Sequence, residues 1–240
     1  MGFFDKLFGK KKQETKPFVY ADYNVVFDNK IIEGKEISIV EIGMLNISSG
    51  KIVVCDPLAN PESMTLARTV FAGKYPVKIF VAKDEEGEKI NALAKLEFSK
   101  NRSVKWEPAV SDDDDLLTLK GDGDYIGINV DAGVAGFFDY DAGILYNKFI
   151  DDFIEAHPDG NIYTDVFAAE FKKSALDKNN IHELGSWVNF QLPQSDLNIT
   201  MFTSGEGDGS YPIYWGIDKD GNPASLIIDF NVLDLTSELK

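Results

Sequence analysis

Asn46-Ile47-Ser48-Ser49-Gly50-Lys51-Ile52-Val53-Val54-Cys55-Asp56 and Asn129-Val130-Asp131-Ala132-Gly133-Val134-Ala135-Gly136-Phe137-Phe138-Asp139 decide the fold. Each reads as the end of a strand, a glycine turn, an apolar strand and a closing aspartate. Matched positions lie 83 residues apart throughout. Downstream, Gly73-Lys74-Tyr75-Pro76-Val77 leads to Val81, Lys83 and Asp84. Gly209-Ser210-Tyr211-Pro212-Ile213 leads to Ile217, Lys219 and Asp220, at an offset of 136. Each block then turns at a glycine (Gly87, Gly221) and returns along a strand to Phe98 or Phe230. Two blocks in the same order predict one β unit present twice, near residues 43–98 and 126–230. The offset grows because the second copy holds a helical insertion. The predicted fold class is α+β and β-rich: two related antiparallel β units packed as a sandwich or barrel, with a helical insertion in the second unit.

Outward from these blocks the texture stays β. Short runs rich in Val, Ile, Phe and Tyr alternate with Gly, Asp, Asn and Pro, which predicts strands at 23–27, 36–42, 44–47, 51–55, 76–82, 92–98, 103–106 and 125–130. More follow at 186–191, 198–202, 211–217 and 225–230. The insertion reads as helix. Phe149, Ile150, Phe153 and Ile154 fall on one face, and 165–176 repeats the pattern with Phe167, Ala168 and Phe171 inward and Thr164 as N-cap. Residues 17–240 form a single β-rich domain. Residues 1–16 are a basic amphipathic tail, in which Phe3, Phe4, Leu7 and Phe8 share one face ahead of Lys10, Lys11 and Lys12. The tail reads as a frayed terminus, with contact to a membrane surface or a partner as the alternatives.

Composition bounds the function. The chain has 240 residues, 44% of them apolar, which is ample for a packed core. No apolar run approaches the ~18 residues of a membrane span. No signal peptide is recognisable, and Cys55, alone, excludes an intramolecular disulfide framework and a Cys-based zinc site. The balance predicts a cytoplasmic protein. The net charge is −16, against nucleic-acid binding, which needs clustered Lys and Arg. The tail's five lysines against Asp5 and Glu14 give it net +3, so the rest of the chain carries −19. A surface that acidic attracts basic partners at long range.

Positions common to both copies read as structural, so a site is sought in what one copy alone has. That selects Asp112, Asp113, Asp114 and Asp115, and the loop Ser204-Gly205-Glu206-Gly207-Asp208-Gly209. The candidate partner-binding residues are these four aspartates with Glu206 and Asp208, docking a basic protein. The alternative is a hydrolase using carboxylates of the Gly-Asp loops, 121–124 and 205–209, with Asp131, Asp139 and Asp141. No catalytic residue, metal or cofactor is assigned. Asp218-Lys219-Asp220-Gly221-Asn222 starts like a calcium loop, but Pro223 stands at the sixth position, where that loop needs Gly, so it reads as a hairpin turn. His157 and His182 lack ligand-type spacing. Cys55, flanked by Val53 and Val54, reads as core. Ser204 does not sit in a nucleophile elbow, and the Gly-rich loops lack the Lys-Ser/Thr of a phosphate cradle.

Several segments, in this order, resemble the bacterial family known as domain of unknown function 4241. They are Ser49-Gly50-Lys51 through Cys55-Asp56-Pro57; Gly73 through Val77; Val130-Asp131-Ala132-Gly133 with Phe137-Phe138-Asp139; and Ser204 through Tyr211 with Tyr214-Trp215-Gly216. The resemblance covers roughly residues 40–235, and the last segment is its most specific part. It implies a bacterial source and an established family without an assigned reaction, and it carries over no active site. In style, short acidic proteins of this kind are also similar to immunity proteins, which neutralise toxins by binding them. The expected function is a non-catalytic protein-binding module, an immunity protein that neutralises a basic bacterial toxin.

Overall fold

The computed structural model describes residues 21–61, 65–121, 123–175 and 184–235; the tail expected at 1–16 lies outside them. In chain order the elements are α1 (Asn24–Asp28), β1 (Ile31–Ile32), β2 (Lys35–Ile47), β3 (Ile52–Cys55), β4 (Gly73–Lys83), β5 (Lys89–Glu97), β6 (Lys105–Pro108), β7 (Gly127–Val130), β8 (Val134–Asp139), α2 (Tyr140–Ala156), α3 (Ala168–Lys172), β9 (Trp187–Gln191), β10 (Asn198–Thr203), β11 (Gly209–Ile217) and β12 (Pro223–Asp229). One antiparallel sheet runs β1-β2-β4-β5-β12-β11-β6, with β7 also on β11, and curls into a half-barrel. The second runs β3-β8-β10-β9. The fold is β-rich α+β, with a second sheet closing over the first.

The strand registers match across the two sequence blocks. Ile47 faces Gly73 and Val130 faces Gly209, so the offsets of 83 and 136 carry one pair onto the other. In the second sheet Val54 faces Phe137, its own counterpart, and the flanking pairs Val53–Phe138 and Cys55–Gly136 interchange. In the first sheet Phe98 N–H donates to Ala224 O, and Phe230 N–H donates to Ala92 O. A pseudo-two-fold axis therefore passes between β3 and β8 and between β5 and β12. Both hairpins bulge at matching points, Phe80/Val81 and Gly216/Ile217. Their turns, however, pair Asp84 with Asp218 and not with Asp220. In each, the aspartate carboxylate accepts from the fifth residue's N–H, Glu88 or Asn222, whose carbonyl accepts from the aspartate N–H. The first hairpin is two residue pairs longer beyond the bulge.

Burial explains the layers. Between the sheets pack Leu45, Ile47, Ile79, Phe137, Trp215 and Ile228, all buried. Fully burying an aromatic or branched side chain contributes roughly 1.5–3 kcal/mol. On the outer face of the smaller sheet lie α2 and α3, through Tyr146, Phe167 and Phe171. Asp139 caps α2 by accepting from Asp141 N–H, and Gly143 allows the helix onto the Phe138 ring, 3.3 Å from where a Cβ would stand. The outer face of the large sheet is covered by α1 and the chain end, through Tyr23, Val26, Leu233 and Leu235.

Three local expectations are corrected. The strand expected at 23–27 is mostly the helix α1, because Tyr23 and Val26, three apart, both bury on the sheet. The strands expected at 36–42 and 44–47 are one, bulged at Gly43, whose φ of +116° suits glycine and whose missing Cβ makes room for the Asn189 side-chain amide. The N-cap expected at Thr164 is Asn161 instead. Its carboxamide oxygen accepts from Thr164 N–H, and Asp165 accepts in return from Asn161 N–H. That reciprocal pair leads through a π-helical turn, Tyr163–Phe167, into α3.

Candidate docking site

The turns at Gly50 and Gly133 are locked by aspartates from opposite units. Asp56 Oδ2 accepts from Asp131 N–H and Ala132 N–H at 2.9 and 2.6 Å. Asp139 Oδ2 accepts from Ser49 N–H and Oγ–H at 2.9 and 2.7 Å, and its Oδ1 accepts from Ser48 Oγ–H at 2.9 Å. Each also accepts from the N–H two residues on, Leu58 or Asp141. Both carboxylates are fully buried. Asp139, one of the carboxylates considered for hydrolysis, is thus committed to holding the fold. Asp131 and Asp141 remain exposed, and Asp122 lies outside the described residues. Among the described residues no three His, Cys, Asp or Glu side chains gather as a metal site would require. Cys55 is buried, and burial pushes its thiol well above the ordinary range.

Five cations meet two carboxylates of the large sheet. Glu97 meets Lys78, Lys95 and Lys100 at 3.2, 3.2 and 2.6 Å. Burial acts to raise its carboxyl, but Lys100, Lys95 and Lys78 outweigh it and bring it down to about 2. Glu107 meets Arg68 and Lys105, each at 2.6 Å. By contrast, among the described residues no ion pair reaches Asp112, Asp113, Asp114, Asp115, Glu206 or Asp208.

The predicted site residues fall into two places. After β6 the chain leaves the sheet where Val110 O accepts from Ala67 N–H. Asp114 then accepts from Ser111 N–H and Oγ–H, and Asp115 accepts from Leu117 N–H, capping a single 3-10 turn, Leu116–Thr118. These two shape the loop; Asp112 and Asp113 face solvent. Glu206 and Asp208 are exposed in the turn before β11, which Tyr211 braces by donating its hydroxyl to Gly207 O. Val70 N–H donates to Gly50 O, and Ser204 N–H donates to Gly133 O. Those turns lie at opposite ends of the antiparallel β3–β8 pair, so the loop at 204–208 is separated from the segment beside the aspartate run.

A cleft missed in the sequence lies beside that run. It encloses about 470 Å³ between Phe71, Tyr75, Phe98 and Pro223, with Asn101 and Asp218 on its wall. The Tyr75 and Phe98 rings meet edge to face at 5.1 Å, and the Tyr75 hydroxyl donates to Phe71 O, which fixes the lip. Phe71 itself is 89% exposed. Asp218 accepts from Asn101 Nδ2, Asp220 N–H and Asn222 N–H, which hold its carboxyl below the usual range. A second cleft, about 340 Å³, shares part of this lining about the axis: Gly205 corresponds to Thr69 and Asn91 to Pro223, but Gly207, Tyr211 and Phe230, the counterparts of Phe71, Tyr75 and Phe98, do not line it. There Thr203 N–H donates to Ser186 O, and Trp187 follows and lines the cleft. At the first cleft the matching donor is Ala67, the acceptor Val110, and the residue that follows is Ser111. Periodicity gave no warning of the cleft, since Tyr75 and Phe98 belong to both copies of the repeat and Phe71 to a loop.

The molecule is by class a β-rich α+β domain of two antiparallel sheets. The family model described as "Protein of unknown function (DUF4241)" matches residues 45–228, most of the chain, and the chain belongs to that family. No curated protein and no solved structure matches it. No helix among the described residues is long and apolar enough to cross a membrane.

Proposed function

We propose that the chain is a non-catalytic binding module that docks a basic protein, in the manner of a cytoplasmic immunity protein that neutralises a toxin. One observation carries this reading. Asp112 and Asp113 are exposed and, among the described residues, meet no cation, beside a cleft whose lip is the exposed Phe71, while Lys78, Lys95 and Lys105 of the large sheet pair with Glu97 and Glu107. Unpaired charge around an apolar anchor is how association is steered and then held. Glu206 and Asp208 add long-range attraction from a separate turn. The hydrolase reading has less support, because Asp139 is spent on backbone donors.

The test is kinetic. Partners captured from the source cell at low salt should be basic and should elute as salt rises. Changing Asp112, Asp113, Asp114 and Asp115 to Asn should lower the association rate more than it raises dissociation, since steering is screened over about 8–10 Å. Recovery of only acidic or neutral partners, with salt-independent rates, would overturn the reading.

A further inference from the structure

We propose that the cleft between Phe71, Tyr75, Phe98 and Pro223 is the docking site of this chain's own N-terminal segment, residues 1–16, through Phe3, Phe4, Leu7 and Phe8. A segment docked there would cover the lip that the proposed partner uses, so partner and segment would compete, and the inference stands whether or not such a partner exists.

Four observations converge on this occupant. The first is exposure: Phe71 stands 89% exposed at the lip of a cleft walled by Tyr75 and Phe98. The second is chemistry. Residues 1–16 carry three phenylalanines and a leucine within six positions, Phe3 to Phe8.

The third is charge. The segment is net +3 against −19 for the rest of the chain, and its Lys10, Lys11 and Lys12 directly follow the apolar group. Ala67, two residues before Thr69 of the lip, donates its N–H to Val110 O, two residues before Asp112, so the acidic loop joins the chain at the edge of the cleft. The fourth is reach. The described chain begins at Ala21, and Asn24 Nδ2 donates to Ser103 O, on the same connection between β5 and β6 that gives the cleft Phe98 and Asn101. Residues 9–20 lie between that point and the apolar group, and a dozen extended residues span up to about 40 Å. Because the tether is short, the local concentration of the segment is in the millimolar range, so even weak contacts hold it.

The experiment uses the full chain. A nitroxide is placed on Gly2→Cys; Cys55, fully buried, does not compete for the label. At low salt the amide signals of Val70 to Tyr75, Phe98 to Asn101 and Asn222 should lose intensity several-fold relative to the reduced label. High salt should restore part of that intensity, and Phe71→Ser, at an exposed position, should restore most of it. Broadening absent from this patch, or confined to another surface, overturns the proposal. So does broadening unchanged by Phe71→Ser. A mixture of spin-labelled, isotopically silent chain with unlabelled, 15N-enriched chain should show none of it. Broadening in that mixture means that a second copy supplies the segment, which overturns the intramolecular assignment.

Discussion

Asp229 should destabilise the protein at neutral pH, and Asp229→Asn should remove that cost. Asp229 ends β12 beneath α1, buried, accepting from the Tyr23 hydroxyl at 3.0 Å and from Asn231 N–H at 2.9 Å. Burial is the largest influence and raises its carboxyl from 3.8 to about 6, against the opposing pull of those two donors. Since the folded state binds the proton more tightly than the unfolded state, stability falls as pH rises from about 4 to about 6, and the penalty is complete above that window. Two pH units correspond to roughly 3 kcal/mol. The amide of Asn keeps the acceptor for Asn231 N–H and offers the Tyr23 oxygen a donor. Replacing a charge-assisted bond by a neutral one forfeits part of the gain, about 1 kcal/mol. Asp229→Asn should therefore stabilise the chain by roughly 1–2 kcal/mol at pH 7.5 and by about nothing at pH 4. Urea unfolding of both proteins at half-unit pH steps measures the difference directly. Parallel stability curves, or a variant less stable than the parent at pH 7.5, would refute the reasoning.

Other outcomes follow from the same contacts. Asp139→Ala strands the Ser49 N–H and the Ser48 hydroxyl in the other unit's turn and should cost about 2–4 kcal/mol by chemical denaturation. Asp56→Ala should cost a similar amount, because it strands four backbone N–H groups, two of them in the other unit's turn. Gly136→Ala places a Cβ 2.7 Å from Thr200 O in the central pair of the smaller sheet, so thermal melting should drop by several degrees; an unchanged midpoint would contradict the register. Glu97, held down to about 2 once its lysines outweigh burial, contributes stability that is complete above the ordinary Glu range and lost as pH falls toward 2. Glu97→Gln should therefore lower stability near neutrality and flatten the acid limb, the two proteins converging as pH falls toward 2.

The β units were legible because turns and strands write themselves locally. Gly50 and Gly133 sit at positive φ, and the apolar runs after them are buried strands. The helix α2 was legible from Phe149 onward, but its first turns were not. They start at Tyr140, where Asp139 acts as cap, turn lock and strand end at once. Asp112 and Asp113 were found by their charge. Their separation from Glu206 and Asp208 was hidden, since it depends on which end of β3–β8 each loop joins. The cleft was hidden for the same reason. Thr69 and Phe71, just before β4, meet Phe98 and Pro223 only through the pairings of β4 with β5 and of β5 with β12. No local pattern records a contact between residues so far apart in the chain.

The exchange of aspartates between the two turns sets a timetable for synthesis. Ser49 waits for Asp139, 90 residues later, before its turn is locked. β5 has no neighbour on its far side until β12 has emerged. At 5–20 residues per second that leaves a strand edge open on the ribosome for on the order of ten seconds. The first half of this molecule is therefore a folding liability until the second half arrives. A nascent chain arrested near residue 130 should bind chaperones or aggregate, whereas one arrested after the whole body has cleared the tunnel should not.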